Sequence, residues 1–208
     1  DHAAATPLDP HVFRAMKPFL MEYCGNPSSI HEEGRVARAA VENARRDIAA
    51  VLGARSSEII FTGSGTESIA LALQGVMNMH APGAHVIISA MEHAAVLENA
   101  ALLQEQGYRV SMVSGDAEGI VRADRVAEFI TPDTVLVSIQ YINNEIGSVQ
   151  PVHDIARVVR KERSRRKEHG EARPLWFHTD ACQAALYHPL FVEKLGVDLL
   201  TLNASKVY

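Results

Sequence analysis

The sequence predicts an α/β fold, a mostly parallel sheet held between helices in three layers. Short apolar runs of the kind a strand covered on both faces requires recur along the 208 residues, and amphipathic stretches alternate with them. No internal repeat or low-complexity segment breaks the alternation, which favours stacked βαβ units.

The elements follow in order. Residues 32–52 place Val36, Ala40, Ala44, Ile48 and Val51 at three- and four-residue steps, one apolar stripe against a charged face, and so predict a helix packed on a large surface. Residues 58–62 read as a first strand, followed by a helix over 66–79. A strand over 85–89, a helix over 94–106 and a strand over 109–113 come next. A shorter helix around 125–129 and a strand over 134–140 lead to a helix over 152–167, which starts after Pro151. Two apolar runs, 175–179 and 197–202, complete six predicted strands.

Composition sets the class. With 47% hydrophobic and 22% charged residues the chain has material for one sizeable core and no mark of disorder. A net charge of -5 gives no general attraction to nucleic acid. No apolar stretch approaches the roughly 18 residues of a membrane span, and no signal peptide opens the chain, so a cytoplasmic protein without membrane contact is expected. Cys24 and Cys182 lie far apart without metal-ligand spacing and are expected to stay thiols; no metal site is expected. Residues 160–173 hold seven Lys or Arg against three Glu, but they lack aromatic residues for base stacking, and a solvated helix end and loop is the better reading. The chain begins with Asp rather than Met and stops at Tyr208, and is expected to be a piece of a longer one.

The chemistry starts from two residues. Lys206, in Asn203-Ala204-Ser205-Lys206, follows one apolar run, and Asp180, in His178-Thr179-Asp180-Ala181-Cys182-Gln183, follows another. Alone, such a lysine is a solvated cation and such an aspartate a helix cap. At the carboxyl ends of parallel strands, where ligands of open α/β sheets bind, the pair fits pyridoxal phosphate: the amine condenses with the cofactor aldehyde and the carboxylate keeps the pyridine nitrogen protonated. Phe61-Thr62-Gly63-Ser64-Gly65-Thr66-Glu67-Ser68 runs through two glycines into a helix, where unpaired amides and the helix dipole suit a phosphate and Ser64, Thr66 and Ser68 offer hydroxyls. A plain strand-to-helix turn has the same local pattern. In Met91-Glu92-His93 the imidazole is either a cap or a group that lies over a planar ring and shuttles protons. In Tyr141-Ile142-Asn143-Asn144 the two amides either orient a ligand oxygen or build a turn.

Seven segments in register carry a resemblance to the cysteine desulfurases, the NifS- and IscS-like branch of class V aminotransferases. They are Asp1-His2-Ala3-Ala4-Ala5-Thr6-Pro7, Gly25-Asn26-Pro27-Ser28-Ser29-Ile30-His31, Phe61 to Ser68, Glu92-His93, Asn143-Asn144-Glu145-Ile146-Gly147, His178 to Gln183 and Ser205-Lys206-Val207-Tyr208. The resemblance implies the large domain of a fold type I pyridoxal phosphate enzyme over residues 1–208, incomplete before its last strand and small domain, with segment 1–30 at the dimer or small-domain side. It implies Lys206 as the cofactor-bearing lysine and Asp180 as partner of the pyridine nitrogen. Gln183 would bond the phenolic oxygen, Gly65 and Thr66 would bind the phosphate, His93 would stack on the ring, and Asn144 would lie beside cofactor oxygen and substrate carboxylate. Where many members carry Ser-x-His before the lysine, this chain has Asn203-Ala204-Ser205, so Asn203 and Ser205 would replace an imidazole donor to the phosphate by an amide or hydroxyl.

The implied activity is removal of sulfur from L-cysteine to give L-alanine and an enzyme persulfide. The implied partners are a second copy of the chain in a homodimer and acceptor proteins of iron–sulfur cluster assembly or tRNA thiolation, with no direct nucleic-acid contact. Neither Cys24 nor Cys182 matches the place of the nucleophilic cysteine, so the 208 residues alone are expected to be inactive. Another class V activity, selenocysteine lyase or aminotransferase, and a non-catalytic sulfur-transfer scaffold are the alternatives.

Overall fold

A computed structural model describes residues 1–208 as two compact units, one formed by residues 1–61 with 204–208 and the other by residues 62–203.

The smaller unit contains helix α1 (Pro10–Met21) and helix α2 (Glu32–Leu52). Sequence reading missed α1, whose signals are local: Asp9 caps it by accepting from the His11 amide at 2.6 Å, and Pro10 occupies its first position. Val12, Phe13, Met16, Phe19 and Leu20 also fall at three- and four-residue steps, although no residue of α1 is buried and Pro18 lies inside the helix. Helix α2 has the predicted bounds, begins at the His31 cap and carries Glu32 and Glu33 where the dipole favours anions. Gly25 is required by a close approach: a Cβ there would lie 2.0 Å from the Glu33 carbonyl oxygen. The predicted strand over 58–62 is not formed. Residues Ser56–Glu58 make a short 3-10 turn and the segment that follows joins no ladder. The Ile59 carbonyl accepts instead from the Arg45 guanidinium, which also lies over the Phe61 ring at 4.8 Å. An apolar run without a neighbouring strand must meet its backbone bonds with side chains or water, and Ile60 and Phe61 are exposed.

The larger unit is built on five parallel strands: β1 (His85–Ser89), β2 (Arg109–Val113), β3 (Thr134–Ser138), β4 (Trp176–Asp180) and β5 (Leu199–Thr201), in the order β2-β1-β3-β4-β5. Helices α3 (Gly65–Met77) and α4 (Ala94–Glu105) pack together, α3 against β3, β4 and β5 and α4 against β2. Helix α5 (Ala123–Phe129) packs on β2, α6 (Val152–Glu168) on β4, and the single turn α7 (Val192–Leu195) on α6. Every residue of β1 and β3 is buried, whereas edge strand β2 is largely exposed or half-buried. Val86, Ile87, Ile88, Leu136 and Val137 are completely enclosed, each side chain contributing about 1.5–3 kcal/mol by leaving water.

The cationic stretch over 160–173 departs from its predicted character at one residue. Lys161 and Lys167 are solvated, but Arg166 is only 2% exposed and donates to the carbonyls of Thr134 at 2.9 Å and Thr131 at 3.0 Å while pairing with Glu162 at 2.7 Å. Glu162, bonded by Arg165 and by Arg166, is held down to about 2 despite its partial burial. The guanidinium anchors α6 to the start of β3, a role that charge counting cannot see.

Candidate active site

The strand order reverses direction between β1 and β3, and the carboxyl ends of strands at such a switch point are where open α/β sheets bind ligands. The larger unit brings to that edge Glu92 and His93 after β1, Asn143 and Asn144 after β3, Asp180 at the last position of β4, Cys182 and Gln183 just beyond it, and Asn203 after β5. Helix α3 starts beside them.

At the start of α3 the Ser64 hydroxyl accepts from the Glu67 amide at 3.1 Å and the Ser64 carbonyl from the Ser68 amide at 3.1 Å. The Glu67 carboxylate turns back to the Gly63 amide at 2.6 Å. The amides of Gly65 and Thr66 are left facing no acceptor of the chain, the condition for an anion site at a helix start. Gly65 is buried, and a Cβ on it would lie 3.3 Å from both Asn203 Nδ2 and Cys182 Sγ, tighter than most such contacts. The glycine therefore lets the helix start sit close to the ends of β4 and β5. Thr66 is exposed with its hydroxyl available, whereas the Ser68 hydroxyl is bonded to Thr201 and the Ser64 hydroxyl to the cap.

The turn after β1 divides two roles between neighbours. His93 is exposed and caps α4, its Nδ1 accepting from the Ala95 amide at 3.0 Å. The neutral ring therefore carries its proton on Nε2. Glu92 is buried; its Oε1 accepts from the Ser89 hydroxyl and the Gln140 amide, both at 2.8 Å. Burial pushes this carboxyl up to about 8, against those two bonds and with a small push from the Asp180 charge. Its Oε2 and the Gln140 Nε2 are buried without a partner in the chain.

In the loop after β3 the two adjacent asparagines separate. Asn143 is buried and structural: its Oδ1 accepts from the amides of Glu145 at 2.8 Å and Ile146 at 2.9 Å, and its Nδ2 donates to the Met91 carbonyl at 2.8 Å. Asn144 is half-buried beside it. Asp180, only 7% exposed, accepts on Oδ1 from the Cys182 amide at 3.0 Å, which fixes the carboxylate at the strand end. Gln183 and Asn203 are half-buried.

Ser205 and Lys206 belong to the smaller unit, in a short 3-10 turn over Ala204–Lys206. There the Ser205 carbonyl accepts from the Thr6 amide at 3.0 Å, and the Tyr208 amide donates to the Thr6 hydroxyl at 2.7 Å. The Lys206 ammonium is half-buried and donates to the carbonyls of Ala3, at 2.7 Å, and Ala4. The first and last residues of the chain are thus sewn together.

Sequence reasoning passed over Gln140 and Thr201 and treated Glu92 and His178 only as parts of motifs. The signal available was a polar residue inside an apolar strand or directly before a strand-end histidine; burial gives it meaning.

The profile of aminotransferase class V matches residues 1–208. The chain is 44% identical to cysteine desulfurase IscS of Dictyoglomus turgidum over all of its own length and half of that protein's. A solved NifS-like protein superposes with a TM-score of 0.91 at 37% identity, over 99% of this chain and 54% of the other. SspA, solved in complex with cysteine, superposes at 0.90 and 37% identity, over 100% of this chain and 57% of its own. The chain spans about half the length of the curated relatives it matches. With its whole length inside the profile, the chain belongs to the aminotransferase class V family.

Proposed function

We propose that this chain supplies the pyridoxal 5'-phosphate site of a cysteine desulfurase, which removes sulfur from L-cysteine, leaves L-alanine and passes the sulfur through an enzyme persulfide to an acceptor protein. The observation that carries this reading is the pairing, at one edge of one sheet, of a buried carboxylate on Asp180 with the two open amides of Gly65 and Thr66. An anion site and a buried acid separated by strand ends fit a ligand with a phosphate at one end and a basic ring nitrogen at the other.

When bound, the cofactor supplies an electron sink for the pair released as the substrate Cα–H bond breaks. The chain's residues do the rest. Gly65 and Thr66 hold the phosphate, with Asn203 and Ser205 adding an amide and a hydroxyl. Asp180, steadied by the Cys182 amide, holds the proton on the ring nitrogen. Gln183 donates to the phenolic oxygen, and Asn144 orients the substrate carboxylate. His93 moves a proton at Nε2, the nitrogen its cap bond leaves over. The Lys206 amine would hold the cofactor at its aldehyde end and, when free, would serve as a base. A homodimer and acceptors of iron–sulfur cluster assembly or tRNA thiolation complete the proposal.

The test is alanine formation from L-cysteine by a whole enzyme that contains these residues together with the nucleophilic cysteine, supplied with pyridoxal phosphate. Asp180→Ala is expected to cost roughly a hundredfold or more, as loss of one buried electrostatic partner does. Unchanged alanine formation in Asp180→Ala would refute the assignment.

A further inference from the structure

A continuous line of hydrogen bonds crosses the larger unit just behind the strand ends. The Ser138 hydroxyl on β3 meets His178 Nδ1 on β4 at 2.8 Å, His178 Nε2 meets the Thr201 hydroxyl on β5 at 3.0 Å, and Thr201 meets the Ser68 hydroxyl in the first turn of α3 at 3.1 Å. Ser138 and His178 are completely buried and Thr201 is 1% exposed. No role proposed above uses Ser138, His178 or Thr201, and the Ser68 hydroxyl expected to meet the phosphate is instead bonded to Thr201.

We infer that His178 is a positioning residue that, through Thr201 and Ser68, sets the start of α3 and with it the phosphate-binding amides of Gly65 and Thr66 relative to Asp180. Several features support this. The imidazole uses both nitrogens, and a neutral ring has one N–H and one acceptor, so one of its two hydroxyl partners donates to it and the other accepts. The ring cannot rotate without losing both bonds. Burial drives its proton affinity down, to about 4, with the Asp180 charge opposing weakly, so the ring stays neutral through the working range. His178 and Asp180 share β4, two residues apart and on the same face of the strand. The far end of the line is Ser68, three residues from Gly65. The 3.3 Å spacing of a Gly65 Cβ position from Asn203 and Cys182 leaves the helix start little room to drift. A buried chain of hydroxyls and imidazole thus acts as a spacer between the two ends of the ligand site.

The inference rests on the cofactor reading, and its test separates the two. Binding of pyridoxal phosphate and of pyridoxal, which lacks the phosphate, is measured by titration for the wild-type protein and for Thr201→Val, which keeps shape and β-branching but removes both hydroxyl bonds. His178→Phe, of similar bulk, is the companion variant, and His178→Gln is the conservative rescue. Thr201→Val is expected to weaken pyridoxal phosphate roughly tenfold and pyridoxal less than about twofold, with His178→Phe at least as selective and His178→Gln partly restored. A second readout needs no cofactor: phosphorus NMR line broadening of inorganic phosphate should show a parallel loss in Thr201→Val. Equal losses for both pyridoxal ligands, or no loss in Thr201→Val, would overturn the inference while leaving the cofactor reading intact. Wild-type protein that binds neither ligand would overturn both.

Discussion

The side-chain amide of Asn143 donates to the main-chain carbonyl of Met91 at 2.8 Å, bonding the loop after β3 to the turn after β1 across the point where the sheet order reverses. The same side chain accepts from the amides of Glu145 and Ile146. Asn143→Asp keeps the acceptors and loses the donor, whereas Asn143→Ala loses all three bonds. Urea unfolding should show a cost of about 1–3 kcal/mol for the alanine variant and a smaller one for the aspartate. Equal costs would mean that the bridge to Met91 carries all the effect.

Glu92 predicts a pH dependence. Its carboxyl has a folded-state value near 8 against an ordinary 4.5, so between those limits the folded chain holds a proton that the unfolded chain has released. The stability this gives is fully present below 4.5 and is lost as pH rises through 8, with a slope of up to about 1.4 kcal/mol per pH unit. Glu92→Gln, which mimics the neutral acid, should flatten the decline between pH 6 and 8. An unchanged decline would mean that the carboxyl is ionised in the fold.

His178 acts on the other flank. Its folded-state value near 4 lies below an ordinary 6.5, so the unfolded chain takes up the proton first and the stability present above 6.5 is lost as pH falls towards 4. In His178→Gln the acid limb of the stability curve should become shallower, which denaturant titrations from pH 4 to 7 would show.

Arg166 and Arg165 sit side by side and predict opposite outcomes. Arg166 is 2% exposed, so Arg166→Ala leaves four carbonyls without their donor and the half-buried Glu162 with Arg165 alone, and should cost about 3–5 kcal/mol. Arg165 pairs with Glu162 and Glu171 in half-open surroundings, and Arg165→Ala should cost about 1 kcal/mol or less. Comparable losses in thermal unfolding would contradict the division.

Gly65→Ala tests the phosphate end. An alanine suits a helix start by propensity, so the fold should hold, but its Cβ pushes against Asn203 and Cys182. Pyridoxal phosphate affinity should fall roughly tenfold. Affinity equal to wild type would mean that the cradle has slack.

The order of the elements was legible because their signals are local and strong. The five strands that form, and helix α2 to the residue, rest on apolar period and on caps. Residues 58–62 read as a strand because pairing depends on a neighbour that local pattern does not reveal. Helix α1 carries an apolar stripe at Val12, Phe13, Met16, Phe19 and Leu20, but Pro18 inside it reads as a helix breaker. The strand-end placement of Asp180, His93 and Asn144 followed from run lengths, but the division of labour between Asn143 and Asn144 needed the Met91 carbonyl in space. The buried line from Ser138 to Ser68 joins residues up to 133 apart in sequence and leaves no pattern that a single chain displays.

The central claim concerns one amine. Borohydride reduction of the protein with pyridoxal phosphate, followed by proteolysis and mass spectrometry, should place a phosphopyridoxyl group on the peptide containing Lys206 and on no other, and Lys206→Ala should abolish the label. Label at another lysine with Lys206 unmodified, or uptake unaffected by Lys206→Ala, would contradict the account.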